Sequence, residues 1–221
     1  MANAGTGYLI APSSGRGPGV LVLHSWWGLT PFFRSVCDRL ADEGFVALAP
    51  DLHGGRTADL PDEAERLLAE IDPNPTAALV LSSTATLRSL PVTPDGPIGV
   101  LGFSMGASWA LWASVRAAET VSAVVAFYGA QDVDFEGADA AYLGHFAEHD
   151  EFVDDNDIAL LEANLRLCRR PVEFHRYPGT GHWFFESDRP PAHDAAAAEL
   201  AWDRTIDFLR RHVPSGESST G

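Results

Sequence analysis

Continuous apolar runs alternate with longer amphipathic segments along most of this chain. Runs such as Val20-Leu21-Val22-Leu23 are typical of parallel strands that are covered on both faces. The segments between them carry helix-start signals, such as Thr30-Pro31, which places a capping residue before a proline at the first helical position. This order of elements predicts an α/β fold with a mostly parallel, doubly wound sheet flanked by helices on both faces.

The predicted elements alternate from one end of the chain to the other. The strands cover residues 8–11, 19–24, 45–49, 98–103, 121–127, 142–147 and 172–177. The helices cover about residues 30–44, 62–70, 76–89, 105–118, 155–169 and 193–212. Because the Pro/Gly clusters between them are turns rather than linkers, we expect a single domain over residues 1–221, with a flexible tail over residues 213–221.

Composition narrows the partners that this chain can bind. The 221 residues include 31 acidic and 15 basic side chains, for a formal charge of −16. Nucleic acids and anionic membranes require basic patches, so we expect neither as a partner. The first residues lack a basic region before an apolar one, and no apolar run approaches the ~20 residues that span a bilayer. We therefore expect a cytoplasmic protein, with Cys37 and Cys168 as buried small side chains rather than a disulfide.

The segment Gly102-Phe103-Ser104-Met105-Gly106 carries the strongest chemical signal. It joins an apolar strand to a helical segment, and its Gly-x-Ser-x-Gly pattern is that of a nucleophile elbow. The flanking glycines have no side chains, so the strand and the helix can approach closely around Ser104. The sequence therefore predicts that Ser104 is a nucleophile at the apex of a strained turn.

A serine nucleophile needs a general base that is itself oriented by a third group. In an open parallel sheet, functional groups collect at the carboxyl ends of the strands. His182 follows the last predicted strand in a glycine-rich loop, and we interpret it as the base. Asp150 follows the preceding strand and is the preferred acid, while Asp132 stays as an alternative because it also lies near a strand end. The chain order Ser104, Asp150, His182 is the one expected for this architecture.

Two backbone amides would complete such a site. The loop Ser25-Trp26-Trp27 follows the second predicted strand, so we expect the Trp26 amide to face the Met105 amide across an acyl oxygen. Together these amides would form an oxyanion hole, which requires no particular side chain. Trp26, Trp27 and Trp183 lie on loops at the predicted rim, where an apolar acyl pocket and ordinary core packing are equal alternatives.

These segments resemble the dienelactone hydrolases of the α/β-hydrolase superfamily over about residues 7–209. The matching motifs are His24-Ser25-Trp26-Trp27-Gly28, Ala49-Pro50-Asp51-Leu52, Gly102-Phe103-Ser104-Met105-Gly106, Asp150-Glu151-Phe152-Val153 and Tyr177-Pro178-Gly179 with Gly181-His182. The resemblance implies the α/β-hydrolase fold and a hydrolase that acts on ester or lactone bonds. Neither the resemblance nor the residues imply a metal or an organic cofactor.

Three positions depart from the pattern of the family's founding enzymes. Those enzymes have cysteine where this chain has Ser104, and glutamate where it has Ser25. Shortly after the histidine they have an arginine that contacts the substrate carboxylate, where this chain has Glu186. Because a carboxylate there would repel an anionic lactone, we expect a neutral or cationic ester, thioester or lactone. The predicted substrate-binding residues are Ser25, Trp27, Trp183 and Glu186.

The main hypothesis is a serine hydrolase that cleaves a carboxylic ester, thioester or lactone through an acyl-enzyme. The alternatives are an acyltransferase or cyclase that uses the same acyl-serine, and a non-catalytic binding module.

The histidines show no metal-ligand spacing, because His145 and His149 lie on a predicted strand and its exit. The expected partner is a small ester or lactone, bound by a monomer or a homodimer. Arg56, Arg66 and Arg88 stay open as cations that would compensate for an anionic substrate.

Overall fold

The computed structural model describes residues 7–216, and within them it has a seven-stranded sheet. Its strands are β1 (Tyr8–Ile10), β2 (Gly19–Leu23), β3 (Val46–Ala49), β4 (Ile98–Phe103), β5 (Val121–Phe127), β6 (Ala141–His149) and β7 (Val172–Gly181). Their spatial order is β1-β3-β2-β4-β5-β6-β7. β1 pairs antiparallel with β3 and the other pairs are parallel, so the predicted mostly parallel sheet is confirmed.

Helices cover both faces of the sheet. They are α1 (Pro31–Asp42), α2 (Pro61–Ala69), α3 (Pro73–Arg88), α4 (Met105–Arg116), α5 (Asp155–Leu167) and α6 (Ala195–His212). α1 and α6 pack in one apolar cluster, and α3, α4 and α5 pack in the other. Among the described residues, no helix combines the length and the apolar character that crossing a membrane requires.

The apolar run of β2 serves both layers at once. Val20 and Val22 belong to the cluster under α1 and α6, whereas Leu21 and Leu23 belong to the cluster on the opposite face. All four side chains have no exposed surface. Because successive side chains of a strand point to opposite faces, a strand covered on both sides is apolar at every position.

β6 and β7 pair beyond the ends predicted for them. The register shifts between Ala147 and His149, after which His149 pairs with Gly181. The sequence pattern ended β7 at residue 177 because Pro178 and the glycines that follow interrupt the apolar run. Since His149 and Gly181 are partners, the residues that follow them, Asp150 and His182, leave the sheet side by side.

α2 lies outside the two main layers and packs on a small cluster of its own. Ala64 and Leu67 of this helix meet Trp27, which is 2% exposed. The Arg189 guanidinium lies 3.8 Å from the centre of a Trp27 ring and donates to the carbonyl of Ala58 at 3.2 Å. These contacts hold the segment between β3 and α3 against the body of the protein.

Val213 is the first residue of the predicted flexible tail, but the structure places it in the core. Its side chain is buried and lies against Gly99, where the missing side chain leaves room for it. Val213 is thus packed rather than exposed, the flexible tail stays a prediction, and residues 217–221 of it lie outside the described residues. Both cysteines are free, with Cys37 buried and Cys168 half-buried.

We expect Gly106→Ala to destabilise the fold by about 1–3 kcal/mol, the usual cost of overpacking. A side chain at this position would overlap the backbone oxygens of Leu23 and His24. Helix propensity alone favours alanine over glycine inside a helix, so the two effects have opposite signs. Urea denaturation measures the change, with Gly137→Ala as the control because a side chain there would meet no atom within 4 Å. Equal unfolding midpoints for the two variants would contradict the predicted overlap.

Candidate active site

Ser104 occupies the turn between β4 and α4 in a strained backbone conformation. Its φ is 51° and its ψ is −115°, which residues with side chains rarely adopt. Its amide donates to the carbonyl of Phe127 at 2.9 Å, which ties the turn to the end of β5. At Gly102 a side chain would overlap the backbone of Gly106, so the strand and the helix touch there. The strand, turn and helix of the predicted elbow are therefore present.

A continuous hydrogen-bond chain joins Ser104, His182 and Asp150. Ser104 Oγ lies 2.9 Å from His182 Nε2, and His182 Nδ1 lies 2.8 Å from each oxygen of Asp150. Because a carboxylate only accepts, Nδ1 donates to Asp150 and Nε2 accepts from the Ser104 hydroxyl. Asp150 Oδ1 also accepts from the amides of Phe152 and Val153, at 2.9 and 3.1 Å. These two bonds fix the carboxylate in its orientation.

Aromatic rings enclose the imidazole of His182. The ring centres of Tyr128 and Phe152 lie 4.8 Å from that of His182, and a Trp183 ring lies at 5.0 Å. The side chains of His182 and Asp150 are 3% and 4% exposed. Because water is largely excluded, the hydrogen bonds along this chain act in a medium of low dielectric constant, which strengthens them.

Backbone strain is concentrated at the same place. Ser104, Tyr128 and Trp183 have φ values of 51°, 37° and 64°. Among the residues that the structure describes, the one other non-glycine residue with positive φ is Arg169. Such conformations cost about 1–3 kcal/mol each and persist where the surroundings enforce them, typically at functional sites.

Residues 25–28, called the Trp26 loop below, present a free amide next to the start of α4. The amides of Trp26 and Met105 have no acceptor within the described part of the chain. His24 Nδ1 lies 2.7 Å from the carbonyl oxygen of Ser25, and His53 Nε2 lies 3.1 Å from that of Trp26. Because the N–H and C=O of a trans peptide point in opposite directions, anchoring the Ser25 carbonyl also sets the direction of the Trp26 amide.

The two histidines that anchor the Trp26 loop are buried and uncharged at neutral pH. Leu52 donates its amide to His24 Nε2 at 3.0 Å, so that nitrogen carries no proton. Burial lowers the pKa of His24 to about 4. Burial is also the main cause that lowers the pKa of His53 below its usual value. The loop is therefore held by neutral hydrogen bonds rather than by ion pairs.

A cleft of about 420 Å³ opens over Ser104 and His182. Its apolar walls come from Trp26, Leu68, Met105, Trp109, Phe152 and Trp183, and its polar side chains beyond Ser104 and His182 are Ser108 and Gln131. None of the described residues that line it is Asp, Glu, Lys or Arg. The cleft thus suits a neutral, apolar ligand.

Of the predicted substrate-binding residues, Trp183 lines this cleft, whereas Ser25, Trp27 and Glu186 do not. Ser25 and Glu186 have no exposed surface, and Trp27 packs beneath α2. These three side chains therefore lie outside the cleft, and their contact with a substrate stays a prediction. The reason for this placement differs in each case: Trp27 anchors a neighbouring helix, while Ser25 turns its hydroxyl inward, 3.4 Å from Glu186 Oε2.

Glu186 is a buried carboxyl group behind the site. Tyr128 donates its hydroxyl to Glu186 Oε1 at 2.8 Å, and Asp188 and Arg189 lie near in the following segment. Burial raises the pKa of Glu186 to about 8, a change that the hydrogen bonds of Tyr128 and Ser25 only partly offset. The raised pKa favours the protonated form near neutral pH, and Glu186 does not line the cleft, so this structure gives no support to the predicted repulsion of anionic substrates by Glu186.

The alternatives left open by the sequence lie away from His182. Asp132 accepts a hydrogen bond from the Asn164 side chain at 3.2 Å and is exposed. Among the candidate cations, Arg56 pairs with Glu70, while Arg66 and Arg88 make exposed contacts elsewhere. The structure thus brings Asp150, rather than Asp132, to the imidazole.

Sequence reasoning missed Tyr128, Phe152 and Leu68. Phe152 lies within the predicted acid segment, two residues after Asp150, so its place near the imidazole has a sequence signal. Tyr128 follows the apolar run of β5, so the pattern predicts only another core residue there. Leu68 lies on a short amphipathic helix, and no local pattern indicates that this helix borders the cleft.

Comparison with known proteins identifies the family of this chain. The sequence profile described as "Dienelactone hydrolase family" matches residues 6–213. The chain belongs to the dienelactone hydrolase family. The family predicted from the five sequence motifs is therefore confirmed, and this dienelactone hydrolase-like protein is an ester or lactone hydrolase.

Three similar proteins match this dienelactone hydrolase-like protein over most of their length. Protein usf of Aquifex pyrophilus is 32% identical over 216 residues, which cover 94% of this chain and 93% of the relative. Carboxymethylenebutenolidase of Rhodococcus opacus is 29% identical, covering 96% of this chain and 88% of the relative. A solved structure of a dienelactone hydrolase-like promiscuous phosphotriesterase from metagenomic libraries matches with a TM-score of 0.84 at 19% identity, covering 94% and 92%. This last likeness shows the fold, so the predicted α/β-hydrolase fold is confirmed.

We expect Glu186→Gln to remove a pH dependence from the stability of the protein. The folded state keeps the Glu186 proton up to about pH 8, whereas an ordinary carboxyl loses it near pH 4.5. Between these values the unfolded state binds fewer protons, so the free energy of unfolding contributed by Glu186 falls as the pH rises. The free energy of unfolding of Glu186→Gln, minus that of the wild-type protein, should therefore increase from pH 5 to pH 8, as measured by urea denaturation.

Glu65→Gln is the matched control, because Glu65 is exposed. Its difference from the natural chain should stay constant over the same range. A difference for Glu186→Gln that is equally constant would show that the buried carboxyl does not hold its proton in the folded state.

Proposed function

We propose that this protein is a serine hydrolase that cleaves neutral carboxylic esters, thioesters or lactones through an acyl-enzyme on Ser104. The observation that supports it most directly is the hydrogen-bond chain from Ser104 Oγ through His182 to Asp150, at 2.9 and 2.8 Å. Serine is a weak nucleophile without a base in contact with its hydroxyl. These residues supply the base and the group that orients it.

In the proposed acylation step, Ser104 Oγ attacks the carbonyl carbon while its proton passes to His182 Nε2. The Asp150 carboxylate accepts the Nδ1–H bond throughout and stabilises the imidazolium that forms. When the tetrahedral intermediate collapses, the bond to the leaving group breaks and the imidazolium gives its proton to the departing oxygen or sulfur. Water then adds to the acyl-enzyme by the same route, with His182 as its base, and releases the acid.

The backbone amides of Trp26 and Met105 are proposed to hold the negative charge on the carbonyl oxygen. Both lack an acceptor among the described residues, and Met105 stands at the first position of α4, where the helix dipole favours a negative charge. The hydrogen bond from His24 to Ser25 fixes one of these donors in advance, which avoids reorganisation during the reaction. No organic or metal group is assigned a role in these steps.

The neutral lining of the cleft supports neutral substrates. The Rhodococcus opacus relative is named a carboxymethylenebutenolidase. In this chain, however, no cation among the described residues lines the cleft to pair with a substrate carboxylate. Transferring an unpaired carboxylate into an aromatic cleft carries a desolvation penalty. No observation at the site favours an acyltransferase, a cyclase or a binding module over a hydrolase.

Ser104→Ala is expected to abolish hydrolysis of short p-nitrophenyl esters, and Asp150→Asn to lower kcat at least 100-fold, because the imidazole loses its acceptor. Asp132→Asn is the matched control, since this exposed carboxylate lies away from His182, and its kcat should stay within twofold. Release of p-nitrophenol measures all three. Labelling with a fluorophosphonate probe should follow the same order, and retention of kcat within a few-fold in Ser104→Ala would refute the proposal.

A pair of esters that differ in charge tests the substrate class. We expect kcat/KM for p-nitrophenyl valerate to exceed that for the mono-p-nitrophenyl ester of glutaric acid at least tenfold, because the second ester carries a carboxylate at the end of a similar acyl chain. A tenfold ratio corresponds to about 1.4 kcal/mol. Equal rates, or a preference for the anionic ester, would mean that a cation reaches the cleft after all.

A further inference from the structure

Among the residues that the structure describes around the site, Glu186 is the one fully buried carboxyl group that takes no part in the proton path. It lies neither in the cleft nor in the chain that joins Ser104 to Asp150. A buried polar group is retained at a cost in stability unless its hydrogen bonds are satisfied. Its two oxygens have different partners, and each partner belongs to a different part of the site.

The first partner, Tyr128, forms a wall behind the imidazole. Its hydroxyl lies 2.8 Å from Glu186 Oε1, and its ring centre lies 4.8 Å from that of His182. The backbone of Tyr128 is strained, with a φ of 37°, and its amide donates to the carbonyl of His145 at 2.8 Å. The bond to Glu186 thus fixes the free end of a ring whose other end is anchored to β6.

The second partner, Ser25, belongs to the Trp26 loop. Its hydroxyl lies 3.4 Å from Glu186 Oε2. Ser25 directly precedes Trp26, and its carbonyl is already held by His24. The contact at its side chain is a second restraint on Ser25, whose carbonyl belongs to the peptide that carries the amide proposed to bind the oxyanion.

We propose that Glu186 is a positioning residue that holds His182, through Tyr128, and the Trp26 amide, through Ser25, in one fixed relation. This inference rests on the proposed serine hydrolase function. Proton transfer and oxyanion binding both depend on distances near 3 Å, and errors of about 1 Å lower rates by as much as 100-fold. A carboxyl group in contact with both Tyr128 and Ser25 would therefore affect turnover rather than substrate affinity.

Glutamine should preserve both hydrogen bonds of Glu186, because a protonated carboxyl and an amide each offer one acceptor and at least one donor. In Glu186→Gln the amide oxygen accepts from Tyr128 and the amide nitrogen faces Ser25. Leucine has a similar volume but neither function. Besides these partners, the charged groups near Glu186 are Asp188 and Arg189, and neither substitution alters them.

The test compares Glu186→Gln, Glu186→Leu and Tyr128→Phe with a neutral p-nitrophenyl ester. We expect kcat of Glu186→Gln to stay within threefold of the natural chain. We expect Glu186→Leu to lower kcat at least tenfold, and Tyr128→Phe about fivefold, with KM within threefold in both. If Glu186 had a structural role alone, Glu186→Leu would lower the melting temperature without lowering kcat selectively over KM, or Glu186→Gln would fail to keep kcat near the wild-type value.

Wild-type kcat in a folded Glu186→Leu, an equal loss in Glu186→Gln, or a loss confined to KM would each overturn the proposal. If Glu186→Leu does not fold, Tyr128→Phe combined with Ser25→Ala removes both contacts while keeping the carboxyl, and wild-type kcat in that variant would overturn it as well. Failure of the serine mechanism is distinguishable, because it would appear as activity in Ser104→Ala whatever the Glu186 variants do.

Discussion

At Gly102 and Gly106, β4 and α4 touch through backbone atoms, and the positions of the other site groups follow from that contact. The helix begins directly after the strand, which forces Ser104 to a φ of 51° and sets the free amide of Met105 beside it. β2 pairs with β4, so the Trp26 loop leaves the sheet next to this turn. β6 and β7 lie farther along the same edge, and their pairing up to His149 and Gly181 delivers the acid and the base together.

The buried groups that support the site are neutral. Burial lowers the pKa of His24 and of His53, which hold the Trp26 loop, and raises the pKa of Glu186 to about 8, so each group favours its uncharged form near pH 7. Uncharged hydrogen-bonded groups give rigidity without the desolvation penalty of buried ions. They also leave Asp150 as the one carboxylate in hydrogen-bond contact with His182 among the described residues, so a positive charge on the imidazole has a single strong partner.

The sequence predicted the sheet, the helices and the elbow because each depends on local pattern: apolar runs, capping residues and glycines at fixed spacing. Asp150 and Asp132 could not be separated in the same way, since both follow strand ends and the choice depends on the register of β6 with β7. The inward position of Glu186 was not predictable for a related reason. Trp183 has a φ of 64° and the Glu186 amide bonds back to its carbonyl, so the chain turns sharply after the histidine and carries Glu186 into the interior. No pattern in the residues shows that reversal.

The departures at Ser25 and Glu186 are explained together once the structure brings their side chains within 3.4 Å of each other. A second carboxyl group in place of Ser25 would meet Glu186 inside a fully buried space, where two like charges repel and one pKa rises steeply. A hydroxyl avoids this, and it accepts or donates as the carboxyl requires. The serine at position 25 is thus better understood as the partner of a buried carboxyl than as a substrate contact. Ser25 and Glu186 form one neutral hydrogen-bonded pair. They stand where the pattern of the family's founding enzymes has a glutamate and an arginine.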